Sequence, residues 1–178
     1  MRLRNIPRAE STLQAHELVI KHPEEQKGKW CSLFGNSNPI EIEIGMGKGQ
    51  FLLNMAKAHP DINYIGIERY SSVLLRAVER LDSEEFQDLH NIRFVCMGAR
   101  YVGGVFDPGE ISRIYLNFTD PWPKARHARR RLTSREFLSR YEQVLPSGGK
   151  IEFKTDNSEL FRFSMEEITE AGWHLEKY

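Results

Sequence analysis

The chain has 178 residues, with 25 Lys and Arg set against 25 Asp and Glu, 40% hydrophobic residues and 11% aromatic ones. That length and composition describe one folded domain and exclude a disordered or low-complexity chain. Two cysteines, Cys31 and Cys96, are too few for a disulfide framework, and no run approaches the ~18 apolar residues of a membrane span, so a reducing, cytoplasmic setting away from membranes is expected.

The first 38 residues read as a basic segment, with Arg2, Arg4 and Arg8, that leads into a domain over 39–178. Its start is basic but has no apolar stretch behind it, so it is not expected to be an export signal. Within it, His16 to Ile20 fits a helical turn or a short strand equally. From Pro39 onward, short β-like runs alternate with helical periodicity, the pattern of an α/β fold with a mostly parallel sheet. Ile40 to Ile44 is the first predicted strand. Phe51, Leu52, Met55 and Ala56 form a helical stripe that ends before Pro60. Asn63 to Ile67 is the second strand, and Ser71 or Ser72 is placed to cap a helix with Leu74, Ala77, Val78 and Leu81 inward. Asn91 to Cys96 and Ile111 to Phe118 give strands three and four, the latter stopped by Pro121 and Pro123. Thr133 to Glu136 has the spacing of a capping box, opening a helix through Leu145. Lys150 to Lys154 is the fifth strand, and a last helix runs from about Ser158 to Ala171.

Six features carry chemistry. Gly45-Met-Gly47-Lys-Gly49 joins the first strand to its helix; it is neither a Walker A loop nor a GxGxxG fingerprint, and alone it serves equally as a ligand cradle or a plain connection. Glu68, about 20 residues further on at the end of a strand, is where an acid accepts hydrogen bonds from ribose hydroxyls. The pair points to a nucleoside-bearing cofactor, against the plainer reading of Glu68 as an ordinary strand-end carboxylate. Glu43 is anomalous, because a central parallel strand is covered on both faces. An acid facing a ligand crevice accounts for Glu43 but not Glu41, and patterning alone slightly prefers a half-solvated strand.

Asn117 to Lys124 follows the fourth strand, with prolines on either side of Trp122 stiffening the loop. A rigid Asp120 beside an aromatic ring suits the orientation of a planar base; an Asx turn over a packed Trp is the alternative. Net neutrality hides segregation: Lys124, Arg126, Arg129, Arg130, Arg131 and Arg135 lie together with no acid between Pro121 and Arg135. Phosphate contacts account for them better than a solvated face, and His127 fits one more phosphate donor better than a catalytic acid or base. The remaining histidines lack metal-ligand spacing, so no metal is expected. Asp156 either accepts hydrogen bonds from a substrate or caps the last helix, and pattern favours the cap.

Glu43-Ile-Gly-Met-Gly-Lys-Gly49, Gly66-Ile-Glu68, Phe118-Thr-Asp-Pro-Trp-Pro-Lys124-Ala-Arg126-His-Ala-Arg-Arg130-Arg-Leu and Phe153-Lys-Thr-Asp-Asn157, in that order, closely resemble the bacterial tRNA (guanine-N7)-methyltransferases. The resemblance implies a Rossmann-like class I methyltransferase, doubly wound around a mostly parallel sheet, that uses S-adenosylmethionine to methylate N7 of guanine 46 in the tRNA variable loop and releases S-adenosylhomocysteine. Glu43, Glu68 and Asp120 match the family's cofactor-site acids, with Gly45 and Gly47 in the loop between them. Asp120 also matches its catalytic position. Lys124 and Asp156 match tRNA-contacting positions, and Arg126, Arg129 and Arg130 are the candidate phosphate ligands. Two departures stand out. Gly98 occupies the place where the family usually carries an Asp or Asn against the adenine, leaving backbone donors only. The family also continues past the last helix into strands with a Thr-x-x-Glu motif, whereas this sequence ends at Tyr178, so a C-terminally incomplete sheet with an exposed edge is expected. A catalytically impaired RNA-binding module, or a methyltransferase acting on another nucleic-acid base, is the alternative; a monomer and a homodimer are both compatible with the sequence.

Overall fold

A computed structural model describes residues 3–178, so Arg2 lies outside the described residues. Helices α1 (Ala9–Ala15) and α2 (Trp30–Phe34) precede five strands: β1 (Ile40–Ile44), β2 (Asn63–Glu68), β3 (Ile92–Cys96), β4 (Arg113–Asn117) and β5 (Lys150–Lys154). The strands form one sheet in the order β3-β2-β1-β4-β5, with every pairing parallel. Parallel neighbours need crossovers, and helices lie in each connection: α3 (Gln50–Ala58), α4 (Ser71–Leu81), α5 (Val102–Val105) and α6 (Arg135–Glu142), with α7 (Ser158–Glu170) last. This is the doubly wound, Rossmann-like arrangement expected. The order reverses between β1 and β4, and such a reversal opens a crevice beyond the carboxyl ends of the two strands.

The two faces of the sheet follow from the period of two. Ile40, Ile42 and Ile44 share one face with Ile65, Ile67, Ile114 and Leu116, packed against Val102, Phe106, Tyr141 and Trp30. Tyr64, Phe94 and Tyr115 lie on the other, against Leu52, Leu53, Leu74 and Val78. Alternation puts Glu41 and Glu43 on this second face, and both are buried, Glu43 to 2% exposure. The half-solvated strand that patterning preferred is therefore not what forms. Glu41 is buried because it is satisfied: Tyr115 Oη donates to its Oε2 at 2.8 Å, and Arg113 Nε stands 3.7 Å from its Oε1.

The N-terminal segment packs onto this frame. Residues 16–20 make a turn and then a single parallel bridge from Val19 to Phe94, with Ile20 N donating to Phe94 O at 2.8 Å and Phe94 N to Leu18 O at 2.9 Å. The fully buried Trp30 donates its indole N–H to Val105 O at 2.7 Å. Three predicted caps differ from those observed. Ser72 Oγ accepts Ile6 N at 2.8 Å and does not cap α4, whose cap residue is Tyr70. Ser134 rather than Thr133 caps α6, because Thr133 Oγ1 is engaged with Ser164 Oγ at 2.6 Å. Asn157 rather than Asp156 caps α7, accepting Leu160 N at 2.8 Å. Strand four is also shorter than expected, since Phe118 leaves it at a φ of +51°. Cys31 and Cys96 are free and exposed, and among the described residues no helix is long and apolar enough to cross a membrane.

Candidate functional site

The β1–α3 connection turns at Gly45, Gly47 and Gly49, all at positive φ (+72°, +60° and +78°), a region that L side chains enter only under strain. Glu68, at the end of β2, ties this loop to the next connection: Gly47 N donates to its Oε2 and Tyr70 N to its Oε1, both at 3.1 Å. Burial raises its pKa, and these backbone donors pull it back only in part. A Cβ on Gly66 would stand 2.2 Å from Met46 Sδ, so glycine in β2 lets the loop's methionine settle on the sheet. Gly98 is different. A Cβ there would meet nothing nearer than the Tyr101 ring at 3.7 Å, so packing does not demand its glycine.

Glu43 sits at the reversal between β1 and β4, in a cavity of about 240 Å³ that Lys48, Phe51, Asn117, Phe118 and Lys154 also line. Asn117 Nδ2 donates to Glu43 Oε1 at 3.2 Å, while Glu43 Oε2 and Asn117 Oδ1 are buried without a partner in the chain. Burial pushes the Glu43 carboxyl up to about 7; the Asn117 hydrogen bond opposes this and the nearby Glu68 adds to it. A buried carboxylate with one unsatisfied oxygen is the complement of a cationic, hydrogen-bond-donating group.

In the loop that follows β4, Asp120 is exposed and lies between two non-glycine residues at positive φ, Phe118 at +51° and Trp122 at +44°. The loop is held from both ends. Phe118 N donates to Lys154 O at 2.8 Å. Arg131 donates through Nε to Pro121 O and through Nη2 to Trp122 O, each at 3.0 Å, while its guanidinium covers the Phe163 ring at 4.4 Å. Arg131, counted in the cationic run, is thus a clamp. Arg135 also has a structural task, pairing with Glu167 at 3.0 Å between α6 and α7.

Lys124, Arg126, Arg129 and Arg130 stay exposed on or beside the 3-10 turn Ala125–Arg130. Arg129 is 88% exposed although its Nε is 3.2 Å from Glu136 Oε1. The Trp122 ring is engaged by the chain itself, with the guanidinium of Arg130 at 5.0 Å and of Arg69 at 5.8 Å, and His127 edge-on at 5.6 Å. His127 is therefore packed against the loop's own aromatic. Asp156, released from capping, is exposed at a hollow of about 510 Å³ shared with Asn157, Phe161, Arg162 and Met165.

The topology thus gathers Glu43, Gly45, Gly47, Glu68, Asp120 and Lys124 at or beside the carboxyl ends of β1, β2 and β4, with Gly98 after β3 and Asp156 after β5. Sequence reasoning missed Asn117 as the partner of Glu43 and the Arg131 clamp. Neither has a local signal, since each depends on a contact across strands or around a turn. Elsewhere, ligand atoms of the exposed His22, Glu24 and Glu25, at the start of the 3-10 turn Pro23–Gln26, lie within 4.8 Å of one another, a grouping that histidine spacing did not reveal.

A family model described as "Putative methyltransferase" matches residues 37–175. A tRNA (guanine-N(7)-)-methyltransferase of Lachnoclostridium phytofermentans is 55% identical over 175 residues, covering 98% of this chain and 80% of that protein. One of Bacillus subtilis, of the same name, is 49% identical over 173 residues, covering 97% and 80%. Among solved structures, an antibiotic-related methyltransferase superposes with a TM-score of 0.62 at 19% identity, covering 84% of this chain and 76% of that one. An aminoglycoside resistance methyltransferase gives 0.59 at 20% identity, covering 82% and 68%. These two likenesses concern the fold.

Proposed function

This chain belongs to the tRNA (guanine-N7-)-methyltransferase family, and on that premise we propose that it takes a methyl group from S-adenosylmethionine and places it on N7 of guanine 46 in the tRNA variable loop, in the cytoplasm. The residues present fit the cofactor. The unpartnered Glu43 Oε2 suits its cationic end, the two-point Glu68 carboxylate retains lone pairs for ribose hydroxyls, and Gly45, Gly47 and Gly98 leave room for close backbone approach. When bound, it supplies an electrophilic methyl on a sulfonium.

Guanine N7 already presents a lone pair, so no base is needed to expose it. The task left to the chain is orientation, which can contribute up to about 7–11 kcal/mol. Asp120, on a loop with little freedom left, holds the edge of the guanine and offsets the positive charge that methylation puts on the ring. Lys124, Arg126, Arg129 and Arg130 hold phosphates, and Asp156 accepts hydrogen bonds from the tRNA. The observation that carries this reading is the meeting, at one strand reversal, of the orphaned Glu43 carboxylate and the clamped Asp120 loop. Incubation with unmodified tRNA and methyl-labelled cofactor, followed by location of the labelled nucleotide, tests it. Label at guanine 46 is expected, with Asp120→Ala lowering kcat about 100-fold. Label on another atom or nucleotide, or an Asp120→Ala variant of unchanged kcat, would overturn it. A chain that bound tRNA but not S-adenosylhomocysteine would instead be an RNA-binding module.

A further inference from the structure

Phe118 is 67% exposed, more than any other described large hydrophobic residue except the terminal Tyr178. Its φ of +51° is a left-handed conformation that bulky residues rarely adopt, so the chain is strained in order to hold a phenyl ring in water. The strain is fixed by neighbours: the Phe118 amide is bonded to Lys154 O, Thr119 beyond it is buried, and Arg131 grips the next bend. A turn alone would favour Gly or Asn here, and the core gains nothing from an exposed ring. The loop's other aromatic, Trp122, is already engaged by two guanidinium groups and a histidine.

Phe118 lines the Glu43 cavity and directly follows Asn117, the partner of Glu43, with Asp120 two residues further on. We propose that Phe118 is the stacking platform for the target guanine, holding the base flat at the mouth of the cavity so that N7 faces the methyl donor while Asp120 takes its edge. The proposal rests on guanine N7 of tRNA being the acceptor. An aromatic ring offers its face to any base, so Phe118 sets the plane of the base and leaves recognition of the guanine edge to Asp120.

The test uses the full chain and a tRNA transcript, in native form and with 2-aminopurine at the target position, whose emission reads base stacking. Phe118→Ala is expected to lower kcat/KM on tRNA about tenfold or more and to leave the 2-aminopurine unquenched. Phe118→Tyr is expected to restore most of both signals, with S-adenosylhomocysteine affinity within twofold of wild type throughout. Wild-type kcat/KM and quenching in Phe118→Ala would overturn the proposal. So would a parallel loss of S-adenosylhomocysteine affinity, which would place the ring on the cofactor. A wild-type chain that methylates some other atom overturns the reading of the acceptor, and the quenching then decides whether Phe118 stacks a base at all.

Discussion

Glu43 shows what one buried carboxyl imposes. Its folded pKa of about 7 stands above the ordinary value near 4.5. Between those two values the folded chain keeps a proton that the unfolded chain has released, so stability falls as pH rises from about 4.5 to 7 and levels off above. Glu68, raised in the same direction by burial, adds to the same trend. Glu43→Gln is therefore expected to be more stable than wild type above pH 7, by on the order of 1–3 kcal/mol, with the difference shrinking toward pH 4.5. Urea unfolding at a series of pH values measures this, and a difference that does not change with pH would show that Glu43 is not the group responsible. The residue was visible in the sequence as an acid in the wrong place. Its consequence was not, because the partner Asn117 comes from a strand 74 residues away.

At the scale of elements, the stretch after β4 divides its labour in a way that composition conceals. The cationic run looks uniform, yet Arg131 is taken up by the loop carbonyls and Arg135 by its ion pair with Glu167, while Arg126, Arg129 and Arg130 are exposed. The expected salt dependence differs accordingly. Arg129→Ala with Arg130→Ala should weaken tRNA binding and flatten the slope of log affinity against log salt by roughly 1–2 units, since each lost phosphate contact contributes about 0.7–0.9. Arg131→Ala should leave the slope nearly unchanged and lower kcat, because it frees the Asp120 loop. Filter binding across salt concentrations together with single-turnover rates separates the two, and an equal slope change in both variants would contradict the division. Strands, glycine turns and the last helix were legible because period and punctuation are local properties. The caps of α4, α6 and α7 were misassigned by one or two residues because Ser72 and Thr133 form bonds with distant elements, and because Asn157 rather than the neighbouring Asp156 takes the cap.

Across the whole molecule, the N-terminal segment is part of the packing, since Trp30 fills the core and Val19 bridges the outer edge of β3. Trp30→Ala should cost about 3–5 kcal/mol, seen as a lowered urea midpoint, with Trp30→Phe costing less but leaving Val105 O unpaired. A midpoint within error of wild type would mean that the segment adds nothing to the core. The fold class was readable from the alternation of strand and helix patterns, but this docking was not, because residues 16–20 carry no strong period of either kind. The strand order also has a meaning in time. A chain made from its amino terminus delivers β1, β2 and β3 first, and these three are neighbours that can pair while synthesis continues. Until β4 arrives, the outer edge of β1 stays open and Glu43 stays wet. The stretch that closes this edge runs straight on into the Asp120 loop, so the last strand to reach β1 brings with it the carboxylate proposed to hold the guanine.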